Sequence, residues 1–119
     1  MLGVEPAKCA MVRQILFASG AQLVLSSTWR GFPEMLDYLW PQLGPEVKAR
    51  WIGSTPMLGT ARGLEIQSWL DDHPEITRFV IIDDDDDMAH LLPHLLKTEW
   101  SDGLTKKTVA MAIQRLTHP

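Results

Sequence analysis

Apolar residues follow two spacings along this chain, a helical one and a short continuous one, and the two alternate from end to end. Met11, Val12, Ile15 and Leu16 share a helical face. Pro6 is a favoured first-turn residue and Gly20 a natural stop, so a first helix is expected between them. Residues 22–27 (QLVLSS) read as a short buried strand. A second helix is expected from about Pro33, with Leu36, Leu39, Trp40 and Leu43 on one face and Pro41 kinking or shortening it. Gly44–Pro45 breaks the pattern, and residues 49–53 form a modest strand. Residues 54–61 are rich in turn formers. A third helix covers about 62–72, with Ile66, Trp69 and Leu70 inward, and His73–Pro74 ends it. Residues 78–82 (RFVII) are the clearest strand, followed by a helical turn near 88–92 and a strand at 95–99. Thr105 is placed to cap a last helix whose Val109, Ala112, Ile113 and Leu116 recur at i, i+3, i+4 and i+7.

Strands separated by helices predict an α/β fold with a mostly parallel sheet covered on both faces. In such sheets ligands bind beyond the carboxyl ends of the strands. The residues after Leu25, Ile52 and Ile82 are therefore the first place to look for chemistry.

Composition narrows the setting. A chain of 119 residues suits one domain with a real core. The net charge of -4 is more than supplied by five consecutive aspartates at 83–87, so the remaining surface is nearly balanced and carries no broad basic footprint for duplex nucleic acid or an anionic membrane. Cys9 is the only cysteine, which excludes an internal disulfide framework and agrees with a reducing compartment. No apolar run approaches the ~20 residues of a membrane span. The amino-terminal segment carries Glu5 and helical spacing, unlike a signal peptide. The cytoplasm is the expected location.

Three segments carry candidate chemistry. Ser26-Ser27-Thr28-Trp29-Arg30 comes after the first strand. Ser26 and Ser27 hydroxyls and the turn's N–H groups suit phosphate oxygens, and Arg30 adds a bidentate donor; the alternative is a Ser/Thr turn capping the next helix. Asp83 and Asp84 are fixed by the end of the strand at 78–82 and suit a hard cation such as Mg2+, which takes few protein carboxylates; the alternative is a solvated acidic loop. Asp85, Asp86 and Asp87 are expected at the surface or at the start of the next turn. Arg62 opens the third helix and either neutralises a phosphate, holds an acid in place, or faces solvent. His90 and His94 are spaced i, i+4, but Pro93 between them argues against a metal pair. Of the five tryptophans, most read as core, with Trp29 and Trp100 nearer the expected cleft.

Taken together, LVLSSTWR (23–30), TPMLGTARGLEIQSWLDDHPE (55–75), FVIIDDDDDM (79–88) and LLPHLLKTEWSDGLT (91–105) resemble the haloacid-dehalogenase (HAD) superfamily. The closer resemblance is to the HAD-type domains of bacterial Swiss Army knife RNA-repair proteins and their stand-alone relatives, and it extends over nearly the whole chain. It implies a three-layer Rossmannoid. It also implies a phosphatase-type site in which Ser26 matches the hydroxyl motif, Arg62 the basic motif, and Asp83 and Asp84 the acidic motif that helps hold Mg2+. Hydroxyl, cation and metal donors suit phosphoryl transfer, which spreads negative charge over equatorial oxygens.

One departure from the family pattern matters most. The family's nucleophile and general acid/base form an Asp-x-Asp at the end of a strand that precedes the serine strand. Residues 1–22 contain no aspartate, and the first in the chain is Asp37. The resemblance thus implies a single HAD-like domain over 1–119 that is incomplete at its amino end, with the first strand absent. In the family that strand is central, so its loss leaves unpaired edges. Three remedies are open: the strands repack, a homodimer completes the sheet, or the natural chain is longer. The functional expectation is a phosphatase-type domain without its nucleophile, inactive as it stands. Its complete form would be a Mg-dependent phosphomonoester hydrolase acting on a phosphorylated small molecule or a nucleic-acid end. The alternative is a non-enzymatic oligomerisation or interaction module. A receiver-like domain fits poorly, because in receivers the acidic strand opens the domain.

Overall fold

A computed structural model describes residues 6–26, 33–83, 85–98 and 105–118. The elements are α1 (Pro6–Ser19), β1 (Leu23–Leu25), α2 (Pro33–Leu43), α3 (Pro45–Ala49), β2 (Trp51–Ser54), α4 (Arg62–Asp71), β3 (Ile81–Asp83), a 3-10 helix (Ala89–His94), β4 (Leu95–Lys97) and α5 (Lys106–Thr117). The result is a mixed α/β molecule whose strand pairs are parallel, as the alternation of helix and strand requires. The described strands form two separate two-stranded sheets, β1 with β2 and β3 with β4. Leu23, Val24 and Leu25 stand opposite Trp51, Gly53 and Ser54, with a register shift after Leu23. Ile81, Ile82 and Asp83 stand opposite Leu95, Leu96 and Lys97. The strands have not repacked into one sheet among the described residues.

Each pair has its own core. Trp40 and Leu43 of α2 and the fully buried Val47 of α3 pack with Leu16 against Leu23, Leu25 and Trp51. Around the second pair the period-two alternation of a strand sorts side chains by face. Val80 and Ile82 pack with Leu96, Val109 and Ala112 toward α5, while Phe79 and Ile81 pack with Ile66, Met88 and Leu91 toward α4. Ile15 and Leu16 are adjacent on α1, yet Ile15 enters the core under α5 and Leu16 the core under α2. Helix α1 is thus a tie between the two halves. Polar contacts reinforce it: Arg13 donates to the Leu43 carbonyl at the end of α2 (2.9 Å), and Arg50 donates to the Leu16 carbonyl near the end of α1 (3.0 Å).

Several local expectations are met for the reasons given by the sequence. Gly20 comes after α1 with φ +72°, a conformation glycine adopts freely. The Thr105 hydroxyl accepts from the Thr108 N–H and caps α5. Other elements differ. The 45–49 segment is a short helix, because Pro45 opens it after Gly44 (φ +99°), so the Gly-Pro break is also a start. Pro41 lies in the last turn of α2, which ends two residues later. The strand expected at 78–82 is regular only over Ile81–Asp83, where β4 stands beside it. Phe79 and Val80 have strand-like side-chain alternation but no described strand alongside.

Because Ile15 and Leu16 serve different cores, Ile15→Ala and Leu16→Ala should each cost about 3 kcal/mol. Their costs should add to within about 0.5 kcal/mol despite their adjacency. Urea unfolding of both single variants and the double variant measures this. A coupling above about 1 kcal/mol would contradict the separation of the cores.

Candidate functional site

The carboxyl ends of β1 and β3 meet at one guanidinium. Arg62 is the first residue of α4, and its Nη1 donates to the Ser26 carbonyl just past β1. The same nitrogen lies 3.5 Å from Asp83 Oδ2 at the last position of β3. Both side chains are mostly shielded, with 19% and 12% exposure, so this pair is less screened than a surface ion pair. Arg62 Nε is buried and has no hydrogen-bond partner among the described residues. Of the three readings of Arg62, the contact with Asp83 matches the one in which it holds an acid.

The aspartate run builds this arrangement. Asp83 Oδ1 accepts from the Asp85 N–H (3.0 Å), and Asp85 Oδ1 accepts from the Asp86 N–H (2.9 Å), which folds the acidic stretch tightly after β3. The chain then returns across the start of α4. Ala61, at the N-cap position, offers no side-chain cap. Asp87 supplies one instead: its Oδ2 accepts from the Arg62 N–H (3.1 Å) and its carbonyl from the Gly63 N–H (3.0 Å). These are two of the donors a helix leaves unpaired at its start, and the carboxylate also favours the positive end of the helix dipole. Met88, with no exposed surface, pins the end of the run into the core. Gly63 makes the approach feasible, since a Cβ there would stand 1.8 Å from the Met88 carbonyl oxygen.

Asp85 and Asp86 are exposed, as expected, while Asp87 is a structural cap that sequence reasoning did not single out. Glu65 is a second such residue. It is 6% exposed, and its Oε2 accepts from the Leu58 N–H (2.7 Å), fastening the 55–61 loop to α4. Its only advance signal was an acid in the first turn of a helix. Ser26, Arg62 and Asp83 are brought together; Ser27, Arg30 and Asp84 lie outside the described residues, as do Trp29 and Trp100. His90 pairs with Gln67 Oε1 (2.7 Å), whereas His94 stacks on Phe79, so the two rings serve different neighbours.

Both oxygens of Asp83 are engaged, one by a guanidinium and one by an amide. The described residues contain no group of three or more His, Cys, Asp or Glu side chains arranged around a metal. Asp83 is the described member of the acidic pair expected to help hold Mg2+, and Asp84 lies outside the described residues.

Behind the Arg62 bridge, a largely apolar cavity of about 660 Å3 separates β1 from β3. Helix α1 lines it through Val12, Ile15 and Leu16, and α4 through Ile66, Trp69 and Leu70. No helix among the described residues is long and apolar enough to cross a membrane. The family model described as the HAD domain in Swiss Army Knife RNA repair proteins matches residues 4–109. No curated protein and no solved structure matches the chain.

Gly63→Ala should destabilise the fold by at least about 2 kcal/mol, because backbone rather than a flexible side chain blocks the new methyl group. Asp87→Ala should cost about 1 kcal/mol through the lost cap, with Asp87→Asn intermediate. Chemical denaturation with an unchanged m-value checks both. A neutral Gly63→Ala would show that the aspartate run does not lie against α4 in solution.

Proposed function

Since the chain belongs to the family of HAD domains in Swiss Army Knife RNA repair proteins, we propose that it is a phosphatase-type scaffold carrying the phosphate-orienting half of a phosphoryl-transfer site. The convergence of Ser26, Arg62 and Asp83 at two parallel strand ends carries this reading. Ser26 supplies a hydroxyl donor, and Arg62 a planar cation with a buried Nε directed to no described partner. Asp83 holds Arg62 in place, and Asp87 fixes the helix start from which it projects. Such preformed donors stabilise the charge that develops on transferring phosphoryl oxygens.

In our reading the other half of the site is not among these 119 residues. A carboxylate nucleophile is needed for covalent transfer in this family's manner, and no aspartate occurs in residues 1–22. The family resemblance implies Mg2+, which Asp83 would help hold with the acceptor capacity left beside its contacts with Arg62 and the Asp85 N–H. In our reading, the completed site is a Mg-dependent phosphomonoester hydrolase. The family's name favours a phosphorylated RNA end as its substrate over a free small molecule. The cytoplasm suits such a role. The separation of the two strand pairs also favours a second reading, an interaction module that receives a missing element, and this bears directly on how the site would be completed.

The 119-residue chain should hydrolyse no aryl phosphate above background in the presence of Mg2+. It should still bind inorganic phosphate with a Kd on the order of millimolar, seen as NMR shifts of the Ser26 amide and the Arg62 Nε–H. Arg62→Met should abolish those shifts. Turnover that Arg62→Met removes would overturn the claim of inactivity, and an absence of phosphate shifts in the unaltered chain would overturn the orienting role.

A further inference from the structure

We infer that Met57 and Leu58, on the loop between β2 and α4, form an uncharged apolar rim that holds the base of a terminal nucleoside whose phosphate lies at Ser26 and Arg62. The inference rests on the phosphate-orienting reading of those two residues and names what is attached to the phosphate.

The loop is placed by the site itself. The Thr55 N–H donates to the Leu25 carbonyl (2.9 Å), one residue before Ser26. The Leu58 N–H donates to Glu65 Oε2 (2.7 Å). Glu65 follows Arg62 by three residues on α4, about 4.5 Å along the helix axis. The loop therefore runs from beside one phosphate donor to beside the other, and a main-chain N–H fastens it at each. Glu65 is 6% exposed, and a carboxylate so far withdrawn from water is costly to leave without donors. The contact with Leu58 thus commits the loop to one position before a ligand arrives.

On this fastened loop Met57 and Leu58 are 56% and 53% exposed, although both are large and apolar. A contact surface that is already ordered loses little freedom when a ligand settles on it. Its chemistry selects the ligand. Residues 54–61 (STPMLGTA) contain no charged side chain, so the loop offers no counter-ion to a carboxylate or to a second phosphate close to the first. The exposed carboxylates of Asp85 and Asp86, which follow Asp83, disfavour such groups further. The fitting ligand is a phosphate monoester whose organic part is uncharged and has an apolar face. A nucleobase has such a face whatever its identity, whereas a bare sugar does not. The chain carries a net charge of -4 and no broad basic footprint, which confines recognition to the terminal nucleoside instead of a length of polyanion.

Adenosine 5'-monophosphate, ribose 5-phosphate and inorganic phosphate are the probes, followed by NMR on the 119-residue chain. The first two differ only in the base. Adenosine 5'-monophosphate should bind about tenfold more tightly than ribose 5-phosphate. Its ring protons should show NOEs to the Met57 methyl group. In the double variant Met57→Ser/Leu58→Ser, whose altered positions are exposed and whose folding the amide spectrum reports, the ratio of the two affinities should fall to within about twofold of one. Equal affinities in the unaltered chain, a ratio that survives the double substitution, or base NOEs confined to other residues would overturn the inference while phosphate binding stands. Failure of all three ligands to bind, inorganic phosphate included, would overturn the phosphate-orienting reading and this inference with it.

Discussion

The Arg62 guanidinium is the point at which the two halves of this molecule meet on the strand-end side. It touches the carbonyl after β1 and the carboxylate that ends β3, while α1 ties the halves together through Ile15 and Leu16. Arg62 can do this only because α4 begins where it does. That start depends on a cap that comes from outside the helix, the carboxylate and carbonyl of Asp87. Asp87 reaches it only because Met88 is anchored in the core and Gly63 has no side chain to keep the two backbones apart. An acidic run that looks like a solvated loop is therefore largely a positioning device for one arginine.

The same arrangement leaves a structural demand unmet. Parallel strands flanked by helices are most stable when both edges pair, since buried main-chain groups are costly to leave without partners. Among the described residues β1 and β3 each pair on one side, and a largely apolar cavity lies between them.

The features legible in the sequence are those set by local rules. The helical stripes of α1, α4 and α5 and the Thr105 cap could be read from spacing, and the strand-end positions of Ser26 and Asp83 from the geometry of α/β sheets, whereas the grouping of Arg62 with them was implied by the family resemblance. The features that were not legible depend on partners distant in sequence. Phe79 and Val80 have strand composition, but regular strand begins only at Ile81, opposite Leu95. Glu65 and Asp87 gain their roles from Leu58 and from the start of α4, contacts that no local pattern encodes. The Pro45–Ala49 helix shows that Gly-Pro marks a change of direction without specifying the type of the next element.

The most direct measurement is the spacing of β1 and β3 in the free chain, from amide-to-amide NOEs in a perdeuterated sample. Adjacent strands lie about 4.8 Å apart, so strands separated by a one-strand gap lie about 9.6 Å apart. Strong contacts are expected across β1–β2 and β3–β4, and none between the Val24 and Ile82 amides. A clear Val24–Ile82 contact would mean that the sheet closes without an inserted strand, and would contradict the division into two strand pairs on which both functional readings depend.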